Sequence, residues 1–156
     1  MNKIPMTASG FEKLQNELKL LVNKERPEII TAIAEARTHG DLSENAEYQY
    51  AKEQQSLNEG KIAELETTIA NAEIIDVSKL SGKEIKFGAT VKIKEEQSGE
   101  QSTYQIVGEY EFDIENKKIS INSPLARSLI GKTKDEIVEV NSPKGISTYK
   151  VISIKY

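Results

Sequence analysis

The apolar positions in the first half of the chain repeat at helical spacing. Phe11, Leu14, Leu18 and Leu21 step by three, four and three residues, and Ile29, Ile30 and Ile33 resume the stripe. Thr7 and Ser9 both fit the N-cap of this segment, Ser9 with Glu12 in an S-x-x-E capping box. Pro27 interrupts the stripe because it has no N–H and its ring crowds the preceding turn. Residues 28–37 are again helical in composition, which predicts a kinked helix rather than two separate ones. The pattern stops at His39, Gly40 and Asp41. A second helix follows, with Tyr50 and Leu57 one heptad apart and Ile62, Leu65, Ile69 and Ala72 continuing the stripe. Both stripes are as narrow as a coiled-coil seam, and two such helices joined by a turn pack antiparallel. About 30 residues per helix make an arm of about 45 Å at 1.5 Å per residue.

Beyond residue 76 the period changes. Residues 89–96 alternate apolar and polar side chains, and 103–108, 117–121, 136–140 and 148–155 read as further strands. Ser123 is an N-cap with Pro124 at the first helical position, and Gly131 fits the residue after a helix end, so a short helix is expected over 125–130. The pattern predicts an α+β chain: an antiparallel two-helix arm over 1–75, a linker at 76–82, and an antiparallel sheet with one short helix over 83–156.

Composition agrees with an elongated part. Of 156 residues only 37% are hydrophobic and 6% aromatic, with no Trp, which is too polar for one compact globule. An arm whose seam is covered by one partner helix, with the rest in water, accounts for that. The absence of Cys excludes disulfides and thiolate chemistry, and a single His excludes a His-rich metal site. No apolar run approaches the ~20 residues of a membrane span. Residues 1–7 lack the apolar core of a signal peptide. The chain therefore reads as soluble and cytoplasmic, and a monomer is expected. Its charge is uneven: residues 1–78 hold 8 basic and 14 acidic side chains, residues 79–156 hold 13 and 11. A free nucleic-acid binder carries a clustered basic surface, and the acidic arm argues against one.

The turn between the helices concentrates the candidate chemistry. Asp41, Glu44 and Glu47 fall within seven residues of Gly40. Asp41 and Glu44 match a D-x-x-E capping box, and acids suit a helix N-terminus. Helix starts are far commoner than metal-binding tips, so spacing alone favours capping. The same two carboxylates, within one turn, can also share a hard divalent cation such as Mg2+, which prefers oxygen ligands. Two oxygens make a partial site, so a partner must complete it. The two readings are compatible, because a cap fixes the backbone while a side chain still faces outwards.

Several segments resemble one family. They are residues 4–7, 26–30, 32–37, 40–48, 76–77, 87–91, 119–122 and 123–131, in family order along almost the whole chain. The tip segment Gly40–Tyr48 joined to Ser123, Pro124, Ala126 and Arg127 is highly specific. On these residues the chain resembles the bacterial Gre transcript-cleavage factors. The resemblance implies a coiled-coil arm that enters the secondary channel of a backtracked RNA polymerase, and a C-terminal domain of FKBP-like fold that docks outside. It implies that Asp41 and Glu44 hold a Mg2+ ion jointly with the polymerase, at the nascent RNA 3′ end, with none bound stably by the chain alone. The polymerase then cleaves its own RNA, so the factor by itself is no enzyme. Asn45 and Tyr48 belong to the tip motif. Arg37 and Lys52, the basic residues nearest the tip, are either contacts to RNA or polymerase or ordinary solvated charges. Gln49 and Tyr50 depart from the family pattern, and His39 reads as an exposed turn residue. Ser123 and Pro124 are the expected docking residues, although a Ser-Pro helix start is also good capping. Two other readings remain: an adaptor occupying the same channel without a metal role, and, by analogy of fold only, a prolyl isomerase with an arm. The latter has no Trp to floor a proline pocket.

Overall fold

The computed structural model describes residues 3–156; the first two residues of the expected arm, and of the segment read for a signal peptide, lie outside them. Contacts divide these residues into two compact units. Residues 11–72 form the first, and residues 3–10 together with 73–156 form the second. The segment 3–10, assigned to the arm on sequence pattern, thus packs with the C-terminal unit.

The first unit is a helical hairpin. Its first limb comprises α1 (Ala8–Leu20), a π-helical turn (Leu21–Glu25) and α2 (Arg26–Ala36); α3 (Ala46–Ala70) returns. The backbone keeps right-handed helical angles at Leu20, Glu25 and Arg26. At the expected kink the structure places the π turn: the Arg26 N–H donates to the Leu21 carbonyl, one residue further back than in an α-helix. The wider turn makes room for the Pro27 ring, which lacks the N–H that a continuous α-helix would use there. The opposite helix meets this irregularity. Asn58 Nδ2 donates to the Leu21 carbonyl at 3.3 Å. Beside it, Arg26 donates through Nε and Nη2 to both Glu59 oxygens, at 2.9 and 2.8 Å. These cross-helix bonds meet only in one register, as a lone polar residue does in a coiled-coil seam.

The seam differs from the expected stripe on α3. Tyr50 and Leu57 are 65% and 55% exposed, whereas Ala51, Asn58, Ile62, Leu65 and Thr68 are buried. The heptad step is correct, but Tyr50 and Leu57 read it one residue early. Small and polar seam members do not register in a search for bulky apolar residues.

In the second unit, β1 (Ile4–Thr7) pairs with β2 (Ala72–Ile75), a two-stranded sheet the sequence pattern did not indicate. The main sheet has the order β5-β4-β3-β7-β6, from β3 (Thr90–Glu95), β4 (Gln101–Val107), β5 (Lys118–Ser120), β6 (Ile137–Ser142) and β7 (Gly145–Lys155). It is mixed rather than antiparallel, because β5 runs parallel to β4. The connection over 108–117, with a 3-10 turn at Glu109–Glu111, is long enough to carry the chain back before β5 begins. Val91 and Ile93 face the core, where Ala126 and Leu129 of α4 (Pro124–Leu129) meet Ile106, Val138 and Val151. Among the described residues no helix is long and apolar enough to cross a membrane.

Of the two candidate caps for α1, the structure uses Thr7, whose Oγ1 accepts from the Gly10 N–H at 3.1 Å. The reciprocal acid of the expected capping box is supplied from far along the chain. Glu111 accepts from the Thr7 N–H at 3.1 Å, from the Gly108 N–H at 2.9 Å, and from the Thr7 hydroxyl. Gly10 and Gly108 leave room for it, since a side chain at Gly10 would occupy the space of the Glu111 carboxylate.

Candidate functional site at the hairpin tip

The tip is built by satisfying two helix ends at once. Helix α2 passes into a 3-10 turn at Arg37–His39, and its last carbonyls need donors. Thr38 Oγ1 donates to the Glu35 carbonyl at 2.6 Å. Asn45 Nδ2 donates to the Ala36 carbonyl, also at 2.6 Å. The other atom of the same amide, Asn45 Oδ1, accepts from the Tyr48 N–H at 3.1 Å and so caps α3. One side chain therefore ties the end of one helix to the start of the next. Gln49 adds a second tie, its Nε2 donating to the Leu42 carbonyl at 3.1 Å. Between these ties Gly40 adopts φ 116° and ψ −148°, a region in effect reserved for glycine.

This geometry corrects the expected capping box. Asn45, not Asp41, caps α3, and Glu44 precedes the helix rather than standing at its third position. Asp41 instead holds the turn, its Oδ1 accepting from both the backbone N–H and the hydroxyl of Ser43 at 3.0 Å. Those bonds, the backbone one foremost, hold its carboxyl below the usual aspartate range, so it stays ionised. Its second oxygen takes no hydrogen bond among the described residues. Glu44 is exposed and likewise free of ion pairs among them. Glu47, in the first turn of α3, lies 3.8 Å from His39 Nε2, a neighbour for His39 that the sequence did not suggest. With Asn45 in the capping role, the outward carboxylates of Asp41 and Glu44 are not needed to start the helix.

The comparisons with known proteins cover the chain from end to end. Residues 4–74 match the model "Transcription elongation factor, N-terminal", and residues 80–156 match "Transcription elongation factor, GreA/GreB, C-term". The chain belongs to the GreA/GreB family of transcription elongation factors. Among its GreA relatives, the Chelativorans sp. (strain BNC1) protein is 58% identical and the Brucella anthropi protein 59% identical over 156 residues. Each alignment covers 100% of this chain and 99% of the relative. The solved structure of GreA factor homolog 1 from Thermus thermophilus is 25% identical, with a TM-score of 0.45, covering 99% of this chain and 100% of that one.

The metal associated with the resemblance can be tested against the donors present at this GreA/GreB tip. Exposed carboxylate oxygens are the ligand chemistry Mg2+ prefers. Among the described residues no three His, Asp or Glu side chains gather into a metal-holding group. Asp41 and Glu44 offer the donor chemistry for such an ion, but as two carboxylates only. The other site residues divide as follows. Arg37 is exposed in the turn after α2; Lys52, exposed on α3, donates to Gln55 Oε1 at 3.0 Å. Tyr48 is half-buried in the first turn of α3. Ser123 and Pro124 belong to the second unit: Ser123 Oγ accepts from the Ala126 N–H at 3.3 Å and donates to the Ser120 carbonyl at 2.7 Å, and Pro124 begins α4. The sequence did not reveal the clamping role of Gln49. An amide four residues after Asn45, on the same face of a helix, was the available signal.

Proposed function

We propose that this GreA/GreB-family chain inserts its hairpin into the secondary channel of a backtracked RNA polymerase and stimulates the polymerase's cleavage of the nascent RNA 3′ end. The observation that carries this reading is the tip itself. Two outward carboxylates, one held ionised by Ser43, stand on a turn pinned to both helices by Asn45 and Gln49. A pinned turn keeps its carboxylates oriented when the arm meets a partner, and such preorganisation is what a shared site requires. Asp41 and Glu44 would hold Mg2+ together with polymerase ligands. The chemistry supplied by that ion is activation of a water and neutralisation of charge on the scissile phosphate. Asp41 contributes its free oxygen, Ser43 fixes its direction, and Glu44 contributes the second carboxylate. Arg37 and Lys52, both exposed, would meet phosphate or polymerase, while Asn45 and Tyr48 shape the turn. The second unit docks on the polymerase exterior through Ser123 and Pro124. The factor carries part of a catalytic centre and is inactive on RNA alone.

The test uses purified polymerase halted in a backtracked state with end-labelled RNA and Mg2+. Adding the chain should shorten the RNA from its 3′ end and restore elongation, and the chain mixed with free RNA should leave it intact. RNA unshortened by the chain in the halted complex would refute the proposal, as would cleavage of free RNA.

A further inference from the structure

Between α2 and α3, on the flank of the hairpin, lies an open groove of about 360 Å³. It is lined by the small or aliphatic side chains of Ile29, Ala32, Ala36 and Ala51, and by Tyr50 at 65% exposure. The rim is acidic: Glu25, Glu28, Glu35 and Glu47 all border it. Glu47 lies near the His39 ring, and Glu25, Glu28 and Glu35 enter no ion pair among the described residues. Glu25 and Glu28 stand three residues apart along the helical limb, a like-charged pair of the kind that mildly disfavours a helix. An apolar trough, an exposed phenol ring and unpaired carboxylates together match one ligand chemistry. A lysine or arginine side chain can lay its aliphatic stem on the alanines, its charge over the ring and among the carboxylates.

We infer that this groove receives a basic polypeptide segment, an arginine or lysine adjoining an apolar side chain, from the wall of the channel the arm enters. The inference rests on the proposed function for the identity of the partner, and it gives the arm a binding surface that runs from His39 and Glu47 at the tip along its flank. Contacts along the flank set how tightly the arm is held, while Asp41 and Glu44 act at its end.

The experiment reads binding directly, with the full-length chain labelled fluorescently in its second unit and titrated with RNA polymerase at several salt concentrations. Two variants are compared with wild type. Glu28→Gln/Glu35→Gln removes rim charge, and Ala32→Phe obstructs the groove without changing charge. Each should weaken binding by about tenfold, the charge variant should show a shallower salt dependence than wild type, and helical circular dichroism should be unchanged. At saturating concentration both variants should cleave RNA at the wild-type rate. Wild-type affinity in both variants overturns the inference, and so does a change in self-association by sedimentation in place of a change in polymerase affinity. Wild-type chain that binds polymerase, loses affinity in both variants, yet never stimulates cleavage would uphold the groove and overturn the proposed function. Failure of the wild type to bind polymerase would overturn both.

Discussion

Asn45 is the residue on which the tip depends most, and its removal has a calculable cost. In Asn45→Ala the Tyr48 N–H loses its cap, a change worth about 1 kcal/mol at typical N-caps. The Ala36 carbonyl, on a buried residue, also loses its donor, for about 1 kcal/mol more. The sum is about 2 kcal/mol, taken from the hairpin rather than from the sheet. Asn45→Asp separates the two parts. It keeps a capping oxygen, adds a negative charge at a helix N-terminus, and removes the donor to Ala36, so its cost should be about 1 kcal/mol or less. The assay is urea unfolding followed at 222 nm, where the hairpin helices dominate the signal. An Asn45→Ala loss within 0.3 kcal/mol of zero, or an aspartate variant as damaged as the alanine variant, would refute the two-ended clamp (~0.3 kcal/mol being the usual scatter of such comparisons).

Three further outcomes follow from the same geometry. Glu111→Ala should cost about 3 kcal/mol, because the Thr7 and Gly108 N–H groups lose their acceptor together, and chemical denaturation of the whole chain measures it. The glycines should diverge. Gly10→Ala displaces the Glu111 carboxylate and should destabilise by about 2 kcal/mol, whereas Gly60→Ala, in the middle of α3 with open space around it, should stabilise by about 0.5–1 kcal/mol; thermal melts compare the pair. The exposed Glu59 is held below the ordinary glutamate value of 4.5 chiefly by its hydrogen bond from Arg26. Its folded-state pKa being the lower, the pair contributes above that value, and the contribution fades as pH falls through the lowered one. Glu59→Gln should therefore flatten the acid side of the stability profile and leave its shape above pH ~5 unaltered.

How much of this was legible in the sequence varies with the kind of signal. The α+β division was plain because helical spacing gives way to alternation near residue 76, a long-range change no local ambiguity obscures. On α3 the expected Ile62 and Leu65 are buried, but the N-terminal part of the seam lies one residue later than expected, because Ala51 and Asn58 are buried for reasons of size and hydrogen bonding while the bulkier Tyr50 and Leu57 are exposed. The Asp41–Glu44 capping box failed because Ser43 and Asn45, close behind Asp41, offer competing side-chain caps. The competition is settled by Asn45 Nδ2 reaching Ala36 across the turn, which spacing within one helix cannot reveal. The parallel β5 and the Glu111 clamp were hidden for a similar reason: both depend on where a distant segment returns. At the tip, the candidate acids were visible from composition and position. What fixes them in place, Ser43 on Asp41 and Gln49 on Leu42, emerged only with the fold.

The central claim is that the carboxylates of Asp41 and Glu44, and not merely the presence of the arm, promote RNA cleavage. Asp41→Asn is the most direct probe, because the amide oxygen can still accept from Ser43 and keep the turn while the negative charge is gone. Single-turnover cleavage in backtracked complexes, at saturating factor and across a Mg2+ titration, should show for Asp41→Asn and Glu44→Gln a rate at least about tenfold lower, equivalent to 1.4 kcal/mol of barrier. Polymerase affinity should be unchanged, with partial recovery at high Mg2+. Wild-type cleavage rates in both variants at every Mg2+ concentration would contradict the account.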